Sequence, residues 1–164
     1  MHGLHLTADL RGCPATQPVM VSPDALGALC RTAVAAAGLN AVGELFHGFS
    51  VRAGQHGPSG VTGVVLLAES HVAVHTWPEL GAVTLDVYVC NVGQNNEARA
   101  RQLLADLCTA FAPTHAHTQA LQRGQLGVDA SQALTARGCL SCANLAAPPK
   151  EPPDHATACL HRHP

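Results

Sequence analysis

A carboxylate, a hydroxyl and an imidazole stand side by side at Glu69-Ser70-His71, directly after the apolar run Val64-Val65-Leu66-Leu67-Ala68. A second imidazole follows at His75, and then the chain's single tryptophan, Trp77. These side chains combine a hydroxyl nucleophile with groups that can move protons near neutral pH. Residue types alone leave a plainer reading open, a strand that ends in a polar turn. Cys90 belongs with them. If Pro78-Glu79-Leu80-Gly81 closes a tight turn between antiparallel strands, facing residues have numbers that add up as 78 and 81 do, and Cys90 comes to face Glu69. Cys30 and Cys108 fall on apolar helical stripes instead, where a thiol serves as a small hydrophobe.

The elements that must position these groups can be read in chain order. Residues 4–10 alternate as a strand, with Leu4, Leu6 and Ala8 on one face and His5, Thr7 and Asp9 on the other. Ser22-Pro23-Asp24 opens a helix with Ser22 as its cap and Pro23 at its first position. Leu26, Leu29, Cys30, Ala33 and Val34 form its apolar stripe, and Gly38 stops it. Residues 41–51 form a second strand whose large apolar members are Val42, Leu45, Phe46 and Phe49. The glycine-rich stretch 53–60 lacks phosphate-binding spacing and reads as a hairpin connection. Strands over 61–68, 72–77 and 82–89 follow, and 64–67 reads as buried on both faces. A second helix runs from Gln94-Asn95-Asn96-Glu97 to Phe111, and residues 114–121 read as an edge strand. The expected fold class is α+β: a two-layer α/β sandwich, with a mainly antiparallel sheet and helices on one face.

Composition sets the outer bounds. The 164 residues suffice for one domain with a real core, and 47% apolar against 12% charged residues excludes a disordered chain. A net charge of -2 offers no electrostatic grip on nucleic acid. The longest apolar run is far too short to cross a bilayer, and the first residues lack the basic and apolar regions of a signal peptide. A cytoplasmic protein without nucleic-acid or membrane partners is expected. Its seven cysteines are then expected as thiols, and the odd count leaves at least one unpaired. After Gly124 the composition shifts, and Pro148-Pro149-Lys150-Glu151-Pro152-Pro153 cannot build regular structure. The division expected is a folded domain over 1–124 and a disordered tail over 125–164. The tail carries Cys139, Cys142, Cys159, His161 and His163, residue types that bind zinc. The proline-rich gap between them argues against an ordered metal site, so none is expected.

The run Ala68-Glu69-Ser70-His71 followed by His75-Thr76-Trp77-Pro78-Glu79 resembles the self-processing site of the prokaryotic S-adenosylmethionine decarboxylase proenzyme family. Thinner resemblance extends from Gly3 to Leu121 through Gly3-Leu4-His5-Leu6-Thr7-Ala8-Asp9, Phe46-His47-Gly48-Phe49 and Asp86-Val87-Tyr88-Val89-Cys90. The resemblance implies the two-layer sandwich and a chain that cuts itself between Glu69 and Ser70. Ser70 then becomes a pyruvoyl group, the cofactor that forms a Schiff base with the substrate. It implies His75 as the base for processing and Cys90 as the proton donor to the product. Thr62 stands where relatives carry a serine that assists processing. Threonine keeps that hydroxyl on a stiffer side chain.

By the same resemblance, Phe49 and Trp77 are expected to contact S-adenosylmethionine and Glu79 its ribose. The product is decarboxylated S-adenosylmethionine for spermidine and other polyamines. Self-association of cleaved protomers, as a dimer or larger, is also implied. Two alternatives stand beside this: the same machinery acting on arginine or ornithine, with Glu44, Glu79 and Asp86 as available counter-charges, and a non-enzymatic binding or regulatory member. One geometric problem is visible from sequence. A straight strand puts His75 about 17 Å from Ser70. Either the chain bends sharply near Ser70, or His75 acts across a subunit boundary.

Overall fold

The computed structural model describes residues 2–50 and 57–124. The expected tail, with its cysteines and histidines, and most of the glycine-rich connection lie outside the described residues. Six strands form one sheet: β1 (Gly3–Arg11), β2 (Ala41–Gly48), β3 (Val61–Leu67), β4 (Ser70–Trp77), β5 (Ala82–Cys90) and β6 (His115–Arg123). Their order across the sheet is β2-β3-β4-β5-β1-β6, and every neighbouring pair is antiparallel. Among the described residues, three helices accompany it: α1 (Pro18–Val21), α2 (Pro23–Ala36) and α3 (Glu97–Phe111).

Alternation along the strands decides which face the helices cover. Leu4, Leu6, Ala8 and Leu10 of β1, Val72 and Val74 of β4, and Val83, Leu85, Val87 and Val89 of β5 are all buried. They pack against Leu26, Cys30 and Val34 of α2 and Leu103, Leu107 and Phe111 of α3. Among the described residues nothing covers the other face, so this is the expected two-layer sandwich. One expectation needs correction. Residues 64–67 are not buried on both faces: Val65 is fully buried but Leu66 is 49% exposed. An unbroken apolar run looks the same whichever face is covered, and helices cover only one here.

Local chemistry explains the boundaries. Ser22 caps α2 by accepting a hydrogen bond from the Ala25 N–H, with Pro23 at the first position. Pro78–Leu80 forms a single 3-10 turn, closed by Gly81 in the left-handed region at φ 55°. The facing residues that result, Trp77 with Ala82 through His71 with Tyr88, are those expected from the turn. The short α1 had no counterpart in the sequence reading, because four residues carry too little periodicity. Gly63 lies under the Phe46 ring, where an added Cβ would stand 2.2 Å from a ring carbon. That close approach lets Phe46 alone, among the apolar residues expected in its strand, turn inward. Val42 and Leu45 of β2, and Phe49 just beyond it, are exposed.

Thr76 is a buried polar side chain on the helical side of β4. Its hydroxyl accepts from the Val61 N–H and donates to the Met20 carbonyl, each at 2.8 Å, and so ties β3 and β4 to α1. Thr76→Val keeps the volume but leaves both backbone groups unpaired. It is expected to cost about 2 kcal/mol, read as a lower midpoint in urea unfolding of the uncleaved chain.

Candidate active site

Residues 67 and 70 face each other, so Ala68 and Glu69 form a two-residue hairpin tip. The Glu69–Ser70 peptide bond is therefore the joint between that tip and β4. Ser70 is half-buried, and its hydroxyl accepts a hydrogen bond from the Cys90 N–H at 3.0 Å. Two residues twenty positions apart are brought together because β4 and β5 are closed by the turn after Trp77. The Cys90 side chain is buried, with its sulfur 4.0 Å from the His2 carbonyl oxygen.

The open face carries the remaining polar groups in rows that run across the strands. One row reads Leu66, His71, Tyr88, His5, Leu121. Within it the His5 and His71 rings each lie about 6 Å from Tyr88, and the Arg123 guanidinium stands 5.1 Å over the Tyr88 ring. His5 reaches sideways to Asp86, with Nε2 and Oδ1 2.6 Å apart. Burial lowers the pKa of His71, and the neighbouring His5 lowers it further against the opposing pull of Asp86. The balance favours the uncharged imidazole. His71 stands out in the sequence beside Ser70, but nothing there joins it to His5, which carries no assigned role. The β1–β5 pairing that gathers this cluster joins segments far apart in the chain and leaves no local signal.

A second row contains Thr62 and His75. They face each other across β3 and β4, and Thr62 Oγ1 is 2.7 Å from His75 Nδ1. The His75 ring lies 6.1 Å from that of Trp77, which is 37% exposed. Beside Trp77 is a shallow pocket of about 180 Å³, lined by Asp9, Arg11, Leu80 and Thr84 among others. Glu79 is exposed on the 3-10 turn, and Phe49 is exposed with its ring 5.3 Å from His47.

The candidate residues thus fall into two groups. Ser70 and Cys90 meet at one end of β4, and Thr62, His75 and Trp77 meet at the other. The pairing of β4 with both neighbours runs without a register shift from residue 71 to residue 75. Between residues 71 and 75, then, nothing in the pairing turns the strand back toward Ser70. Five residues of extended strand separate the two groups by about 16 Å.

Comparison with known proteins places this geometry in context. The S-adenosylmethionine decarboxylase family model matches residues 4–124. A similar curated protein is the S-adenosylmethionine decarboxylase proenzyme of Hydrogenobaculum, 31% identical over 147 residues, which span 84% of this chain and 96% of that one. The proenzyme of the same name from Aquifex aeolicus is 35% identical over 130 residues, 79% of this chain and 87% of the relative. Among solved structures, the crystal structure of the adenosylmethionine decarboxylase from Aquifex aeolicus matches with a TM-score of 0.64 and 32% identity. The match covers 79% of this chain and 97% of that one.

Proposed function

The chain belongs to the S-adenosylmethionine decarboxylase family, and from that premise we propose a self-processing, pyruvoyl-dependent enzyme of the cytoplasm. It converts S-adenosylmethionine to its decarboxylated form for polyamine synthesis, and residues 1–124 carry the reaction. The observation that carries this reading is the Ser70 hydroxyl at the hairpin joint, held by the Cys90 N–H.

The Ser70 hydroxyl attacks the Glu69 carbonyl, and the peptide bond becomes an ester. A base removes the Ser70 α-proton, and the Glu69 carboxylate leaves with the former hydroxyl oxygen. Water then converts the remaining dehydroalanine to a pyruvoyl end and ammonia. The residues present fit that outcome, since Ser70 starts a strand at a tip that cleavage can open. The pyruvoyl group supplies an electrophilic carbonyl for the substrate amine and a sink for the electrons released with carbon dioxide. The Cys90 thiol holds the proton destined for the substrate α-carbon.

The base is His75, oriented by Thr62, and it comes from a second copy of the chain. His75 lies on the open face near one end of β4, and Ser70 opens the strand at its other end. A two-fold axis between two such faces sets Ser70 of one protomer against His75 of its partner. The face has apolar area to spend on that contact: Leu66 and Leu121 end one row, and Leu45 faces Val64 in another. Phe49 and Trp77 offer aromatic surface to adenine and the sulfonium, and Glu79 offers a carboxylate to the ribose.

Substrate choice follows from which carboxylates are unoccupied. Arginine or ornithine requires a counter-charge for its distal cation. Asp86 is engaged by His5 and Glu44 by Arg31, and Glu79 is the carboxylate proposed above for the ribose. Carboxyl-labelled S-adenosylmethionine should therefore release labelled carbon dioxide with the cleaved protein, and labelled arginine and ornithine should not. Release from arginine or ornithine alone would overturn the substrate while leaving the self-cleavage intact.

A further inference from the structure

An asparagine at a helix N-cap normally turns its side-chain oxygen onto an N–H of the first turn. Asn96 occupies the N-cap of α3 and makes no such bond. It is buried all the same, one of few polar side chains so placed among the described residues. Its amide is spent elsewhere: Nδ2 donates to the Cys90 carbonyl at 3.0 Å. Arg99 donates to Asn96 Oδ1 at 3.2 Å. A guanidinium can only donate, so it fixes the amide with the oxygen toward Arg99 and the NH2 group toward Cys90. The Asn96 N–H is held in turn by Asn91 Oδ1 at 2.9 Å, and the Asn91 N–H by the His2 carbonyl at 3.0 Å.

Cys90 is thereby gripped on both sides of its α-carbon. Its carbonyl is fixed by Asn96, and its N–H points at the Ser70 hydroxyl. We infer that Asn96 is a positioning residue for self-cleavage, which sets the Cys90 backbone so that its N–H holds the Ser70 hydroxyl for attack on Glu69. The inference rests on the self-cleavage proposed above. It also gives the Cys90 N–H a part in the later elimination: it faces the oxygen on which negative charge collects when the Glu69 carboxylate departs.

Asn96→Asp separates positioning from folding. It preserves shape, the acceptor for Arg99 and N-cap preference, yet an ionised carboxylate cannot donate to the Cys90 carbonyl. Asn96→Ser is a second variant that caps the helix but is too short to reach. Both should cleave about 10- to 100-fold more slowly than wild type, as small misplacements of reacting groups do. Both uncleaved chains should still unfold cooperatively, well above the temperature of the cleavage assay. Cleavage is followed by intact mass. The Asn96→Asp deficit should shrink as pH falls from about 7 to about 4, the range in which a carboxyl regains its proton and with it a donor. The charged and titratable groups around position 96 are Arg99 and Glu97 of α3 and Cys90 of β5. The ratio of variant to wild-type rates cancels the titration of the shared base. Wild-type rates in both variants, or slowing that merely follows a lowered midpoint with no pH-dependent recovery, would overturn the inference. Failure of the wild-type chain to cleave would overturn the reading beneath it instead.

Discussion

Ser70→Ala should leave one unbroken chain of 16.9 kDa where the parent protein yields fragments 1–69 and 70–164. The expected effect is complete, because no other hydroxyl occupies the joint after the hairpin tip. Alanine also fits the first position of β4, so the variant should fold as the parent chain does before cleavage. In the parent, the larger fragment should resist N-terminal sequencing, since a ketone replaces its amine. Intact mass showing only uncleaved parent protein would remove the basis for the proposed function. The same variant supplies the single covalent species that the unfolding experiments require.

The second large effect concerns His75. His75→Ala should slow maturation by roughly 10²- to 10⁴-fold, the usual worth of a positioned general base. Cys90→Ala keeps its backbone N–H, so it should still mature and then decarboxylate poorly. The two-protomer arrangement makes a sharper demand. Ser70→Ala and His75→Ala chains, each inert alone, should restore cleavage when expressed together. Only the His75→Ala chain should be cut, because it retains Ser70 and receives His75 from its partner. If mixed expression leaves both chains intact while they form dimers, His75 acts within its own chain and strand β4 must rearrange before cleavage. Complementation of this kind is hard to mimic by general stabilisation, since each chain lacks a different reactive group.

Much of this arrangement was legible in the sequence, and the reasons differ by element. Pro78 and Gly81 mark a tight turn, and alternation on either side fixes the facing pairs, which is why Cys90 could be set near Glu69 in advance. The Thr62–His75 contact follows by the same arithmetic from the tip at Ala68 and Glu69, but an alanine ending an apolar run and a single glutamate do not announce a two-residue turn. The His5–Asp86 pair depends on β1 entering the sheet beside β5, a choice made by global packing. Asn96 misleads outright: its type and position spell an ordinary helix start, and only the fold reveals that its amide faces a carbonyl on another strand. The exposure of Val42 and Leu45 leaves no signal in the sequence, because an apolar residue on an edge strand reads the same whether or not its face is covered.

The strand order has a consequence for the life history of the molecule. If the chain is cut between Glu69 and Ser70 as proposed, the small fragment holds β1, β2 and β3 and the large fragment holds β4, β5 and β6. Across the sheet the two are interleaved, with β1 of the small fragment clasped between β5 and β6 of the large one. Before the cut, every strand finds its neighbour within one chain. Afterwards, three of the five seams join separate molecules, and reassembly from the unfolded state becomes a bimolecular search that forfeits translational freedom. Folding must therefore precede the cut, and the cut makes it a one-way event. The finished enzyme endures by the slowness of its escape rather than by the ease of its return.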